Sequence, residues 1–191
     1  MTTWFTSDLH IGHKNIIKYC SRPFADVAAM NEALIANWNA VVAPDDTVYD
    51  LGDFAFCTSS GYALEVLRQL NGQHHLVRGN HEEAALASGY VFASRTDGIA
   101  EIEIEGQAIV LCHYALREWH HALRGVWHLF GHTHANLGPF GKSVDVGVDN
   151  AKNVVPGGAA YRPVSFAEVK AFMDARPVGP HLAFENFEVR R

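Results

Sequence analysis

The sequence predicts an α/β sandwich with mixed sheets. Apolar strand-like runs and helix-like segments follow one another in a β-α-β-α-β order over the first 80 or so residues. Alternating apolar and polar stretches come next, in the manner of antiparallel strands. Polar motifs recur directly after apolar runs, and ligand sites in open α/β folds gather at the carboxyl ends of strands.

Thr2–Ser7 reads as a short strand around Trp4 and Phe5, ending in the polar loop Asp8-Leu9-His10-Ile11-Gly12-His13. Asn15–Cys20 is long enough for one or two helical turns. Asp26 is placed to cap a helix reaching about Val41, in which Met30, Leu34, Trp38 and Val41 recur at near-helical spacing. Pro44-Asp45-Asp46 breaks the chain, and Thr47–Leu51 reads as a buried strand ending at Gly52-Asp53. Gly61–Leu70 is helix-like, with Ala63, Leu64 and Leu67 on one stripe and Asn71-Gly72 closing it. His74–Arg78 is strand-like and runs into Gly79-Asn80-His81.

Ile99–Glu105 and Gln107–Cys112 predict a hairpin turning at Gly106, in a sheet with one solvated face. Trp127–Phe130 and Ser143–Val148 read as further strands. Ser165 caps a helix to Arg176, which Pro177 ends. His181–Val189 reads as an edge strand or tail. There is no internal repeat, low-complexity tract or linker, so residues 1–191 are expected to form one domain.

Composition narrows the function. A chain of 191 residues buries roughly 70% of its unfolded surface and needs no disulfide framework. Apolar residues make up 48%, charged residues 19%, and the net charge is -6, against the basic surface expected of a general nucleic-acid binder. No apolar run approaches the ~20 residues of a membrane span. The N-terminus lacks a signal-peptide pattern. Cys20, Cys57 and Cys112 have no paired spacing and read as reduced thiols of a cytoplasmic protein. The 12 histidines are the unusual feature.

Several of those histidines follow strands. Asp8-x-His10, Gly52-Asp53, Gly79-Asn80-His81-Glu82, His113 and Gly131-His132-Thr133-His134 would converge at strand ends. Taken singly, Asp-x-His and Gly-Asp are more often plain turns, and a lone histidine such as His113 is usually structural. His132 and His134, two apart on extended backbone, would face one side and favour a metal. Two carboxylates, an amide and several imidazoles suit Mn²⁺, Fe, Zn²⁺ or Ni²⁺ and lack the thiolates of a structural zinc site. Two such cations about 3.5–4 Å apart can clamp a phosphoryl group and lower the pKa of a shared water.

These five blocks, spanning Asp8 to His134, resemble the signature of the calcineurin-like metallophosphoesterases. The opening Ser-Asp-Leu-His-Ile-Gly-His, with Tyr19-Cys20-Ser21-Arg22-Pro23-Phe24, is similar to a small bacterial and phage branch. The resemblance implies a four-layer αββα sandwich of two mixed sheets flanked by helices. It implies a first metal on Asp8, His10 and His134, and a second on Asn80, His113 and His132. Asp53 would bridge both, with manganese favoured for activity and a metal-bridging hydroxide attacking phosphorus. His81 would contact the phosphate or protonate the leaving group without ligating metal. The sequence departs from many relatives in carrying Phe56 where an Asp would orient that histidine.

Arg22, Arg117 and His13 are candidate substrate contacts, each weighed against an ordinary salt bridge or loop hydrogen bond. Phe54, Phe56 and Tyr114 border the motifs and could wall a ring, although core packing is the commoner use of such residues. His74, His75, His120, His121, His128 and His181 have no motif context. The expected activity is hydrolysis of a phosphate-ester small molecule or nucleotide, with phosphodiesters favoured because short inter-block segments leave no room for a cap domain. Alternatives are a phosphomonoesterase or nucleotide phosphatase, a nuclease (disfavoured by the missing basic stripe) and, with every ligand position filled, much less a non-catalytic scaffold.

Overall fold

The computed structural model describes residues 1–57 and 59–178. The expected tail strand at His181–Val189 lies outside them. Strands β1 (Thr3–Thr6), β2 (Thr47–Asp50), β3 (Gln73–Val77) and β4 (Ser94–Thr96) run parallel in one sheet. Strand β9 (Val164–Ser165) joins it antiparallel beside β1, giving the order β4-β3-β2-β1-β9. The second sheet has the order β5-β6-β7-β8, from Ile99–Ile104, Gln107–Cys112, Trp127–Phe130 and Ser143–Asp145.

β5 and β6 form the expected hairpin, with Glu105 and Gly106 at its turn in the left-handed region, at φ 52° and 78°. The expectation of antiparallel pairing beyond that point needs correction, because β6, β7 and β8 are parallel to one another. Their connections run through loops and short turns, which hydrophobic periodicity does not distinguish from hairpin loops.

Alternation along the strands builds two large cores and a small third one around Val110, Trp119 and Ala122. Phe5, Leu51, Val77, Ile109, Leu111, Trp127 and Leu129 fill the space between the sheets. On the outer face of the first sheet, Val48 meets α2 (Val27–Asn39) and α3 (Ser60–Leu67) through Met30, Leu34, Trp38, Ala63, Val66 and Leu67. The buried stripe of α3 thus uses Val66 in place of the expected Leu64. Asp26 caps α2 by accepting the Ala29 N–H, as its position predicts. Short helices α1 (Ile16–Tyr19), α4 (Glu83–Leu86) and α5 (Ala151–Val154) lie in connections. Helix α6 (Phe166–Asp174) starts at a Ser165–Glu168 capping box and packs Phe166, Val169 and Met173 into the inter-sheet core.

His128 shows how the second sheet treats a buried polar ring. Its Nε2 accepts the Leu116 N–H at 3.0 Å, while Nδ1 lies 3.2 Å from the Val110 carbonyl. Burial lowers its pKa from 6.5 to about 4, so the neutral ring is the folded form. A histidine whose folded pKa lies below its unfolded one stabilises fully above 6.5, and that stability is lost as pH falls toward 4. The stability difference between wild type and His128→Gln should therefore shift in the variant's favour by about 3 kcal/mol between pH 7 and pH 4, measured by denaturant unfolding. A pH-independent difference would show that His128 is not held neutral.

Candidate metal centre

The parallel strands of both sheets deliver the polar motifs to one end of the molecule. Asp8 and His10 follow β1, Asp53 follows β2, and Asn80 and His81 follow β3. His113 follows β6, and His132 and His134 follow β7. The structure brings these eight side chains together. Asp8, His10 and His134 present donor atoms within 4.8 Å of one another, and Asp53, His113 and His132 do the same. Asn80 joins the second group, its Oδ1 3.1 Å from His113 Nε2.

Asp53 stands between the groups. Its Oδ2 lies 3.5 Å from His10 Nε2 and its Oδ1 lies 3.5 Å from His113 Nε2. The His81 backbone N–H donates to Oδ1 at 2.8 Å, which fixes the carboxylate plane.

Unusual backbone makes these corners. Asp8, His10, Asp53, His132 and His134 all have positive φ, between 47° and 66°. Such values are uncommon for non-glycine residues and cluster at functional sites. Glycines let the corners meet. A Cβ on Gly131 would strike the Ser7 hydroxyl and stand 2.5 Å from Asp8 Oδ2, and one on Gly79 would strike Asp53 Oδ1.

The donors fit a cation. Asp8 Oδ1 and both ring nitrogens of His10 are buried with no hydrogen-bond partner among the described residues. Uncompensated polar atoms at such depth are costly unless something positively charged meets them. Burial raises the Asp8 carboxyl to about 8, against the opposing pull of His134. Burial also holds the His10 ring far below its usual range, helped by neighbouring His134 and Arg22. For His134, burial acts downward, but its hydrogen bond to Asp149, with Cys20 and Asp8 nearby, raises it to about 10. A cation would have to displace the protons that Asp8 and His134 hold, whereas His10 is already neutral, so binding and deprotonation are linked.

A second ring of residues fixes the donors, and sequence reasoning missed most of it. His134 Nδ1 lies 2.8 Å from Asp149 Oδ2, which sets the ring so that Nε2 faces Asp8. Glu82 accepts the backbone N–H groups of Asp53, Phe54 and Gly79, tying the β2 and β3 corners together. Asp145 accepts from Thr133 Oγ1 at 2.6 Å and from the Ala135 N–H at 3.0 Å, anchoring the His132–His134 turn. Asp145 closes β8, and with Asp149 it flanks Gly147 in an Asp-x-Gly-x-Asp run at that strand's end. That is the same signal as Gly52-Asp53, and it was available in the sequence.

The three candidate substrate contacts separate. Arg22 is 3% exposed, so the expectation of a phosphate contact needs correction. Its guanidinium grips Asp149 with two bonds of 2.9 and 2.8 Å and donates to the carbonyls of Asp8 and Leu9. Arg117 is exposed and lines a separate hollow of about 500 Å³ with Leu137 and Phe140. His13 remains at the rim, its ring 5.3 Å from that of His10. Of the bordering aromatics, Phe54 is core at 1% exposure, whereas Phe56 and Tyr114 are each 47% exposed. The His81 ring meets Phe56 edge to face at 4.8 Å, and among the described residues no side chain hydrogen-bonds it.

Two carboxylates, an amide and imidazoles thus meet at the strand ends of a two-sheet α/β sandwich, and two groups of these donors could each hold a metal ion. The chain belongs to the calcineurin-like phosphoesterase superfamily, whose domain model matches residues 1–173. It is 35% identical over 170 residues to an uncharacterised protein of Methanocaldococcus jannaschii, covering 85% of each chain. It is 42% identical over 83 residues to the Gene 66 protein of Mycobacterium phage L5, covering 42% of this chain and 39% of the phage protein. In fold it matches the crystal structure of a protein of unknown function from Aquifex aeolicus, with TM-score 0.69, 24% identity, and coverage of 89% of this chain and 98% of that one. No helix among the described residues is long and apolar enough to cross a membrane.

Proposed function

We propose that the protein hydrolyses phosphodiesters with two divalent cations. The observation that carries this reading is the placement of Asp53, with one carboxylate oxygen toward each donor group. Asp8, His10 and His134 would hold one cation, Asn80, His113 and His132 the other, and Asp53 both. Bound there, the pair would supply Lewis-acid charge for the phosphoryl oxygens and an acidified water, with manganese the favoured metal.

The chain's own groups do the rest. Asp149 and Arg22 keep His134 aimed inward, and Glu82 keeps the Asp53 and Gly79 corners in register. His81 sits beside the centre, its ring 5.6 Å from that of His10, where it can donate a proton to a departing alkoxide. Asn80 and His132 are exposed, and this open rim accommodates an ester with two substituents.

Protein purified without chelator and loaded with Mn²⁺ should hydrolyse bis-p-nitrophenyl phosphate faster than p-nitrophenyl phosphate. Faster turnover of the monoester would instead favour the phosphomonoesterase reading. His81→Ala should retain its metals and lose about 10²-fold in kcat. Metal loss in that variant would show that His81 is a ligand.

A further inference from the structure

Four rings close a circuit at one side of the metal centre. Centroids lie 5.3 Å apart for His10 and His13, 4.4 Å for His13 and Phe56, 4.8 Å for Phe56 and His81, and 5.6 Å for His81 and His10. His10 and His81 belong to the centre. His13 and Phe56 instead form part of the wall of a cavity of about 430 Å³, with Lys14, Asn15 and Glu83 also lining it. Phe56 is 47% exposed, and the Tyr19 ring, 73% exposed, stands edge-on to His13 at 6.2 Å. A hydrophobic ring left open to solvent between a candidate proton donor and a ligand-sized cavity contributes little to folding.

We infer that this cavity receives a planar heteroaromatic substituent of the phosphate ester, a nucleobase-like ring, with Phe56 as its stacking platform. The inference rests on the phosphoesterase reading and adds a substrate class to it. The size falls within the range of small-molecule sites. Aromatic side chains stack on any base because every base has a π-face. Lys14, Asn15 and Glu83 supply the donors and acceptors that the edge of a heterocycle uses and that a plain alkyl group would leave idle. An ester seated on the metal centre would pass its substituent over the shared Phe56 and His81 edge into this space.

Two measurements test the inference. Adenosine, which has no phosphate, should shift the His13 and Phe56 ring resonances of metal-free protein in NMR titration. Phe56→Ala should weaken that binding on the order of tenfold, the loss of one base–aromatic stack, while Phe56→Trp retains it. With Mn²⁺-loaded protein, ³¹P NMR should show that Phe56→Ala lowers kcat/KM for adenylyl-(3′→5′)-adenosine about tenfold more than for glycerophosphoethanolamine. Absence of adenosine shifts at millimolar concentration, or equal losses on both esters, would overturn the inference. Cleavage of neither ester by wild type, with adenosine still bound, would overturn the phosphodiester reading and leave the ring site standing.

Discussion

Asp53→Asn should lose both metals together and reduce Mn²⁺-dependent hydrolysis by roughly 10³-fold, the scale on which removing one electrostatic contact from a reacting centre is felt. The substitution isolates charge. Asparagine tolerates the left-handed backbone that Asp53 adopts at φ 58°, and its amide oxygen can still accept the His81 N–H. What disappears is the negative charge facing both donor groups. Elemental analysis of the purified variant checks the outcome directly. Loss of one metal with retention of the other would mean that Asp53 serves a single site and that the two groups are independent.

Arg22→Met should destabilise the protein by about 3–5 kcal/mol, because it leaves the buried Asp149 carboxylate with His134 as its remaining ionic partner. Burial pushes the Asp149 carboxyl upward, and the hydrogen bonds and charges of His134 and Arg22 hold it below its ordinary value. The variant should also bind metal 10–100-fold more weakly, because His134 loses its fixed orientation. Denaturant unfolding and metal titration measure the two effects. The double variant Arg22→Met/Asp149→Leu should regain part of the stability, since no lone charge then remains buried. A loss under about 1 kcal/mol in the single variant would indicate an ordinary surface salt bridge.

The fold was legible wherever a side-chain period was long enough to read. β1, β2, β3, the β5–β6 hairpin, α2 and α6 fall close to their predicted positions, and Asp26 and Ser165 cap as expected. β4, β9, α4 and α5, at two to four residues, left no trace because they lack the apolar run ending in a polar motif that marks the equally short β1, β2 and β7. The strand-end motifs converge because parallel strands carry their carboxyl ends to one side, and that could be argued before any coordinate was known. The pairing among the supporting residues could not be found in the same way. Arg22 and Asp149 meet across 127 positions of chain, and nothing in either neighbourhood announces the other. A buried arginine and a solvent-facing one look the same in sequence, so the sequence alone offers Arg22 as a candidate phosphate contact.

The left-handed corners at Asp8, His10, Asp53, His132 and His134 have an evolutionary reading. Each would be more comfortable as glycine, and each needs a side chain that glycine lacks. Selection for thermal endurance alone would favour glycine there, and selection for a donor side chain would oppose it. Lineages that abandoned the chemistry would thus find backbone relaxation as an immediate reward, and retention of all five uncomfortable residues is what continued use of the centre would leave behind.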